Sequence, residues 1–149
     1  MECKSVGFIG CGNMGGAFLS ALSKNMPDIA ISVFDPDTSK TAHLDVRICD
    51  SPKQTAETSD ITILAVKPQM MQQVCKDLPR GKYISIAAGI TVSTLSDMLS
   101  GSEVVRFMPT IAAMASAFPV AVCWDTGLPP AWQDDALEIA GSAGCAVPI

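Results

Sequence analysis

Residues 6–22 read VGFIGCGNMGGAFLSAL, with five glycines in seventeen positions. Glycine weakens helices and strands alike, because it has the most backbone freedom to lose on folding. A chain that gathers it at one place must gain a tight turn or a close backbone approach there. The residues on either side say which. The run at 6–9 is apolar and β-rich, whereas Met14, Ala17, Phe18, Ala21 and Leu22 fall at i, i+3, i+4, i+7 and i+8, one continuous apolar face of a helix. Strand, glycine turn and helix in that order open a parallel unit of sheet and helix.

The same alternation continues along the chain. Strands are expected at 6–9, 29–34, 61–66, 83–87, 104–108 and 120–124, with a short one near 47–49. The run ITILAV beginning at Ile61 has apolar residues on both faces, as a buried parallel strand requires. Between the strands, Met71, Val74, Cys75 and Leu78 make a second helical stripe after Pro68, a residue suited to a first helical turn. A last helix is expected at 131–143, with Trp132, Ala136, Ile139, Ala140 and Ala143 on one side and Gly144 as its stop, followed by a short apolar tail. This pattern predicts an α/β fold of one domain over residues 1–149, a Rossmann-like, doubly wound and mostly parallel sheet in three α/β/α layers.

Composition narrows what such a domain does. Aromatic residues are 5% of a chain that is 48% hydrophobic, so the core is aliphatic. Ten Lys and Arg stand against fifteen Asp and Glu, a net charge of −5 with no basic cluster, which speaks against nucleic acid or an anionic membrane as a partner. Six cysteines are spread singly, without a CxxC pair, and His43 is the one histidine, so no metal site is expected. Thiols inside apolar stripes read as reduced packing groups and point to the cytoplasm. The eighteen uncharged residues at 107–124 reach the lower limit of a membrane span, but Pro109, Thr110, Ser116 and Pro119 interrupt them. They read as strand, turn and strand. The apolar stretch at 5–23 is broken by glycines and lacks the basic flank of a signal peptide.

Gly10, Gly12 and Gly15 form GxGxxG directly between the first strand, which ends at Ile9, and the first helix. Gly10 allows the turn, Gly12 lets a pyrophosphate approach the backbone, and Gly15 lets the helix pack on the sheet. The anion then lies on the free N–H groups of the helix N-terminus, around Cys11, Asn13 and Met14. Asp35 closes the second strand twenty residues after Gly15, where a carboxylate accepts from the hydroxyls of an adenosine ribose. Together these features predict a dinucleotide cofactor, NAD(H) or NADP(H), and no metal. Asp35 would repel a 2′-phosphate and favours NAD(H). Thr38, Ser39 and Lys40 offer donors and a positive charge to that same phosphate, so both cofactors remain open. DPDTSK also reads simply as an Asp-Pro turn with a Thr or Ser cap on the next helix.

In such a sheet the ligand lies beyond the carboxyl ends of the strands. The segments there are Ala65, Val66, Lys67 and Pro68; Ala87, Ala88 and Gly89; and Met108, Pro109 and Thr110. Lys67 is the one charged side chain among them. It either holds a substrate carboxylate or the cofactor, or is a solvated lysine at a strand end, and the residues alone favour neither. Cys11 at a helix N-terminus invites a thiolate but reads better as a small neutral filler. His43 has no partner at any motif spacing and is assigned no catalytic role.

The opening stretch, then ILAVKPQ from Ile63, SIAAGITVSTL from Ser85 and VVRFMPT from Val104, in this order and spacing, resemble the cofactor domain of Δ1-pyrroline-5-carboxylate reductases. Hydroxyisobutyrate and 6-phosphogluconate dehydrogenases share a similar opening, but VKP followed by AAGI and MP is more characteristic of the reductases. The resemblance implies reduction of the C=N bond of the small molecule pyrroline-5-carboxylate to L-proline with NADPH or NADH. It implies that Gly10 to Gly15 hold the pyrophosphate, Asp35 and Pro36 the adenosine end, and the segments of Ala65 to Pro68 and Ala87 to Gly89 the nicotinamide side. Met108, Pro109 and Thr110 would border the substrate, with Lys67 and Thr110 as substrate-side candidates and no catalytic residue assigned. Two departures stand out. The family's MPNTP is MPTIA here, and the family's C-terminal helical domain, which forms a homo-oligomer and supplies a substrate loop, is expected to be absent. A stand-alone nucleotide-binding module and a hydroxyacid dehydrogenase relative are the alternatives.

Overall fold

The computed structural model describes residues 2–109, 118–125 and 127–148. Among them the strands are β1 (Ser5–Ile9), β2 (Ala30–Phe34), β3 (Arg47–Ile48), β4 (Ile61–Leu64), β5 (Lys82–Ser85), β6 (Glu103–Pro109), β7 (Phe118–Trp124) and β8 (Gly144–Pro148). The helices are α1 (Asn13–Asn25), α2 (Pro52–Glu57), α3 (Met71–Cys75), α4 (Val92–Met98) and α5 (Pro130–Ser142), with 3₁₀ turns at Thr38–Lys40 and Pro68–Met70. All eight strands form one sheet in the order β3-β2-β1-β4-β5-β6-β7-β8. The first six pair in parallel, β7 is antiparallel to β6, and β8 is parallel to β7.

Period-two alternation divides the core between the two faces of the sheet. Val6 and Phe8 of β1, Ile61 and Ile63 of β4, Ile84 of β5, Val105 and Phe107 of β6, and Val120 and Val122 of β7 pack under Phe18 and Leu22 of α1 and Trp132, Ala136 and Ile139 of α5. The Phe18 and Phe107 rings meet at 5.7 Å between centroids. On the opposite face Ile9, Leu64, Tyr83 and Val104 pack under Ala56 of α2, Met71 and Cys75 of α3, and Leu95 of α4. Each fully buried large apolar side chain contributes about 1.5–3 kcal/mol. The sheet thus lies between two helical layers, and the fold class expected from the alternating pattern is the fold found.

Three points differ from the sequence reading. The tail after α5 is a strand: β8 pairs with β7 from Phe118↔Gly144 to Val122↔Pro148. The stripe after Pro68 is a 3₁₀ turn followed by only five α-helical residues, so Leu78 lies beyond the helix yet stays buried in the same core cluster. The two short helices α2 and α4 escaped the periodicity reading altogether. The stretch at 107–124 is strand at both ends as expected, holding the end of β6 and the whole of antiparallel β7, while the turn expected between them lies outside the described residues. No helix among the described residues is long and apolar enough to cross a membrane. Cys3, Cys11, Cys49, Cys75 and Cys123 are free thiols.

Candidate functional site

Strand β1 pairs with β2 on one side and with β4 on the other, so the chain leaves β1 toward one half of the sheet and later returns to build the other. Such a reversal opens a crevice beyond the carboxyl ends of β1 and β4. The residues there are small by construction. Gly10 has φ +98°, and a Cβ on it would lie 2.7 Å from the Ala65 carbonyl oxygen. A Cβ on Gly15 would lie 2.8 Å from Ala65 Cβ and 2.9 Å from the Gly10 carbonyl oxygen. Loop, helix start and β4 exit therefore interlock through missing side chains. Gly12 differs from both: it has φ −78°, and a Cβ there would meet nothing within 4 Å.

Gly12 is also the N-cap of α1, with no side-chain cap and no acidic residue in the first turn. The first α-helical bond runs from Gly16 N to the Gly12 carbonyl at 2.8 Å, so the N–H groups just before it lack partners within the helix. Open space above a glycine at an uncapped thirteen-residue helix with free donors fits a pyrophosphate. The crevice is drawn together by backbone bonds, Gly10 N to the Phe34 carbonyl at 2.8 Å and Ala65 N to the Ile9 carbonyl at 2.8 Å.

Asp35 is held at this crevice rather than pointing free. Its Oδ2 accepts from Cys11 N at 2.7 Å and its Oδ1 from Asp37 N at 2.9 Å. The cap of the following turn is Asp37, not the expected Thr or Ser: its Oδ1 accepts from Ser39 N at 3.1 Å and from Ser39 Oγ at 2.6 Å. A carboxylate outcompetes the neighbouring hydroxyls there because it offers charged acceptors to both donors. These bonds hold the Asp37 carboxyl below its usual range, the Ser39 hydroxyl being the larger cause. The Cys11 thiol is pushed up, first by burial and then by the Asp35 charge, which makes it a neutral packing group.

The other sequence candidates take varied positions. Ala65 and Val66 are half-buried at the β4 exit, while Lys67, Pro68, Pro36 and Lys40 are exposed. Ala87 is buried, with its N–H on Ser85 Oγ at 3.2 Å, and Ala88 and Gly89 are exposed beyond β5. Met108 is half-buried near the end of β6, and Pro109 is that strand's last residue. Thr110 lies outside the described residues. His43 is exposed.

One residue escaped the sequence reading. The strand register runs level from Ile9 to Leu64, Ser85, Arg106 and Cys123 across β1, β4, β5, β6 and β7. Arg106 is the charged member of that row, and its Nε is buried without a hydrogen-bond partner. A lone arginine inside the apolar run VVRFM was the available signal.

The family model described as NADP oxidoreductase, coenzyme F420-dependent, matches residues 5–89. The pyrroline-5-carboxylate reductase of Methanosarcina acetivorans is 36% identical, the match covering 100% of this chain and 60% of that protein. That of Pasteurella multocida is 33% identical over 97% of this chain and 58% of its own. The Plasmodium falciparum pyrroline carboxylate reductase, solved with NADP bound, superposes with a TM-score of 0.88 at 22% identity, covering 100% of this chain and 58% of that one; at this identity it speaks for the fold. The chain thus spans about 60% of the length of these relatives. Family model and sequence relatives together place the chain in that oxidoreductase family, as a member of its pyrroline-5-carboxylate reductases.

Proposed function

We propose that this chain is the cofactor-binding part of an NAD(P)H-dependent imine reductase that converts 1-pyrroline-5-carboxylate to L-proline in the cytoplasm. The observation that carries the reading is the open Gly12 at the uncapped start of α1, beside a fixed carboxylate at the end of β2, in a chain 36% identical to a reductase of that name. When bound, the nicotinamide supplies the hydride. Every other contribution is positional. The N–H groups of the first turn of α1 hold the pyrophosphate, and Asp35 accepts from the ribose hydroxyls. Ala88 and Gly89 leave the β5 exit free of side-chain bulk for a flat ring. Reduction would place that hydride on the imine carbon, with the nitrogen taking its proton from water. Lys67, exposed at the β4 exit, supplies a cation for the carboxylate of the substrate or for the cofactor. The helical domain that the resemblance implies would complete the substrate side and form the homo-oligomer.

Fluorescence titration with NADH and NADPH, followed by proline formation from pyrroline-5-carboxylate, tests this. Saturable nucleotide binding is expected from the chain alone, with turnover appearing only in a chain extended to the relatives' length. A folded chain that binds neither nucleotide overturns the reading. The change from MPNTP to MPTIA favours a second reading, a nucleotide-binding module without catalysis. Binding without turnover in the extended chain would select it.

A further inference from the structure

We infer that the adenosine end of this site selects NADH over NADPH, and that Asp35, locked between the glycine loop and Asp37, makes the selection. The inference rests on the dinucleotide reading above and adds the identity of the cofactor. In the sequence, the acid at 35 and the donors at 38–40 pull in opposite directions. The structure shows what Ser39 and the Lys40 N–H do. Ser39 gives both its N–H and its hydroxyl to Asp37 Oδ1, at 3.1 and 2.6 Å. The N–H of Lys40 goes to the Asp37 carbonyl at 3.1 Å, and that of Asp37 to Asp35 Oδ1 at 2.9 Å. Of the donors on the turn that would have to cradle a 2′-phosphate, both groups of Ser39 and the N–H groups of Asp37 and Lys40 are spent on its own carboxylates and backbone, which leaves Thr38 and the Lys40 ammonium.

What faces a ribose there is charge of the wrong sign for a phosphate. Asp35 cannot swing away without giving up the Cys11 N–H at 2.7 Å, which belongs to the loop that holds the pyrophosphate. A carboxylate has about four lone-pair sites, and each Asp35 oxygen uses one here, so acceptors remain for ribose hydroxyls. A phosphate in place of the 2′-hydroxyl brings no donor to them and sets like charges together. Lys40, exposed on the same turn, is one cation against the two carboxylates of Asp35 and Asp37. Rejection by an unpaired like charge is a common route to specificity.

Calorimetric titration of the chain with NADH and with NADPH, at about 0.15 M salt so that distant charges are screened, gives the two Kd values. NADH is expected to bind at least about tenfold more tightly. Asp35→Asn, which removes the charge and keeps the shape, should bring the ratio toward one, and Asp37→Ala, which frees Ser39, should tighten NADPH. If Asp35→Asn does not fold, as judged by circular dichroism, Asp37→Ala decides alone. NADPH binding as tightly as NADH to the unaltered chain overturns the inference and leaves the dinucleotide reading standing. An NADH preference that the folded variants leave unchanged removes the choice from these carboxylates and overturns it equally. Binding of neither nucleotide overturns the dinucleotide reading, and this inference with it.

Discussion

The glycine-loop edge and the face under α5 belong to the same sheet and are built from opposite materials. Under α5, shape comes from what is present: Trp132, Ala136, Ile139 and Ala140 are all at most 1% exposed against the β-strands. At the loop, shape comes from what is missing, since Gly10 and Gly15 close on Ala65 only because they lack Cβ atoms. The first region holds the fold together. In the second, Gly12 needs no such closeness: a Cβ on it would meet nothing within 4 Å. Packing therefore explains Gly10 and Gly15 without a ligand, while Gly12 is left for a ligand to explain.

Substitutions can separate the two regions. Trp132→Ala is expected to lower stability most, by about 3–5 kcal/mol, in urea or thermal unfolding. The affinity of the remaining folded protein for NADH should not move. Because Trp132 Nε1 is buried without a partner, Trp132→Phe loses no hydrogen bond and should cost clearly less. Gly10→Ala comes next. Its φ of +98° and the 2.7 Å approach to a backbone oxygen add strain of about 1–3 kcal/mol, and both stability and NADH affinity should fall together. Gly12→Ala should divide the two properties: unfolding falls only by the N-cap preference of glycine over alanine, about 0.5–1 kcal/mol, while NADH affinity drops about tenfold, or about 1.4 kcal/mol. A Gly12→Ala protein that binds unchanged would erase the distinction between the glycines.

The same contrast explains what could be read from the chain beforehand. The parallel strands were legible because burial on both faces leaves an apolar run, as at Ile61–Leu64. The glycine loop was legible because its sterics are local. The five-residue strand β8 was not, since only the main chain of β7 tells Gly144–Pro148 that it is a strand. Helices α2 and α4 are too short for periodicity and are announced by their caps instead. Ser51 Oγ accepts from Gln54 N at 3.1 Å while Gln54 Oε1 accepts from Asp50 N at 2.7 Å, close to a capping box, and Thr91 Oγ1 accepts from Thr94 N at 3.2 Å. At the site, the acid at 35 was visible but its bond to Cys11, across 24 residues, was not. No spacing rule predicts which donor a carboxylate finds. Nor does any predict that Arg106 leaves its Nε unpaired inside a strand.

The smallest expected effect tests whether the β2 exit is ordered by charge before any nucleotide arrives. Asp37 is exposed, and its carboxyl is lowered by the Ser39 hydroxyl first and the Ser39 N–H second, with Lys40 adding a small pull. A depressed folded-state value means that the proton binds more readily to the unfolded chain. The contribution to stability is therefore present above the ordinary aspartate value of about 3.9 and is lost as the pH falls through the lower folded value. Thermal melts of the original chain and of Asp37→Ala should differ slightly at neutral pH and converge in acid below that ordinary value. If the difference instead stays constant down to the most acid pH at which the protein folds, the turn is held by backbone geometry alone. The fixed carboxylate pair at the adenosine end would then owe nothing to its own ionisation, and the loop edge would resemble the α5 face in being ordered by packing.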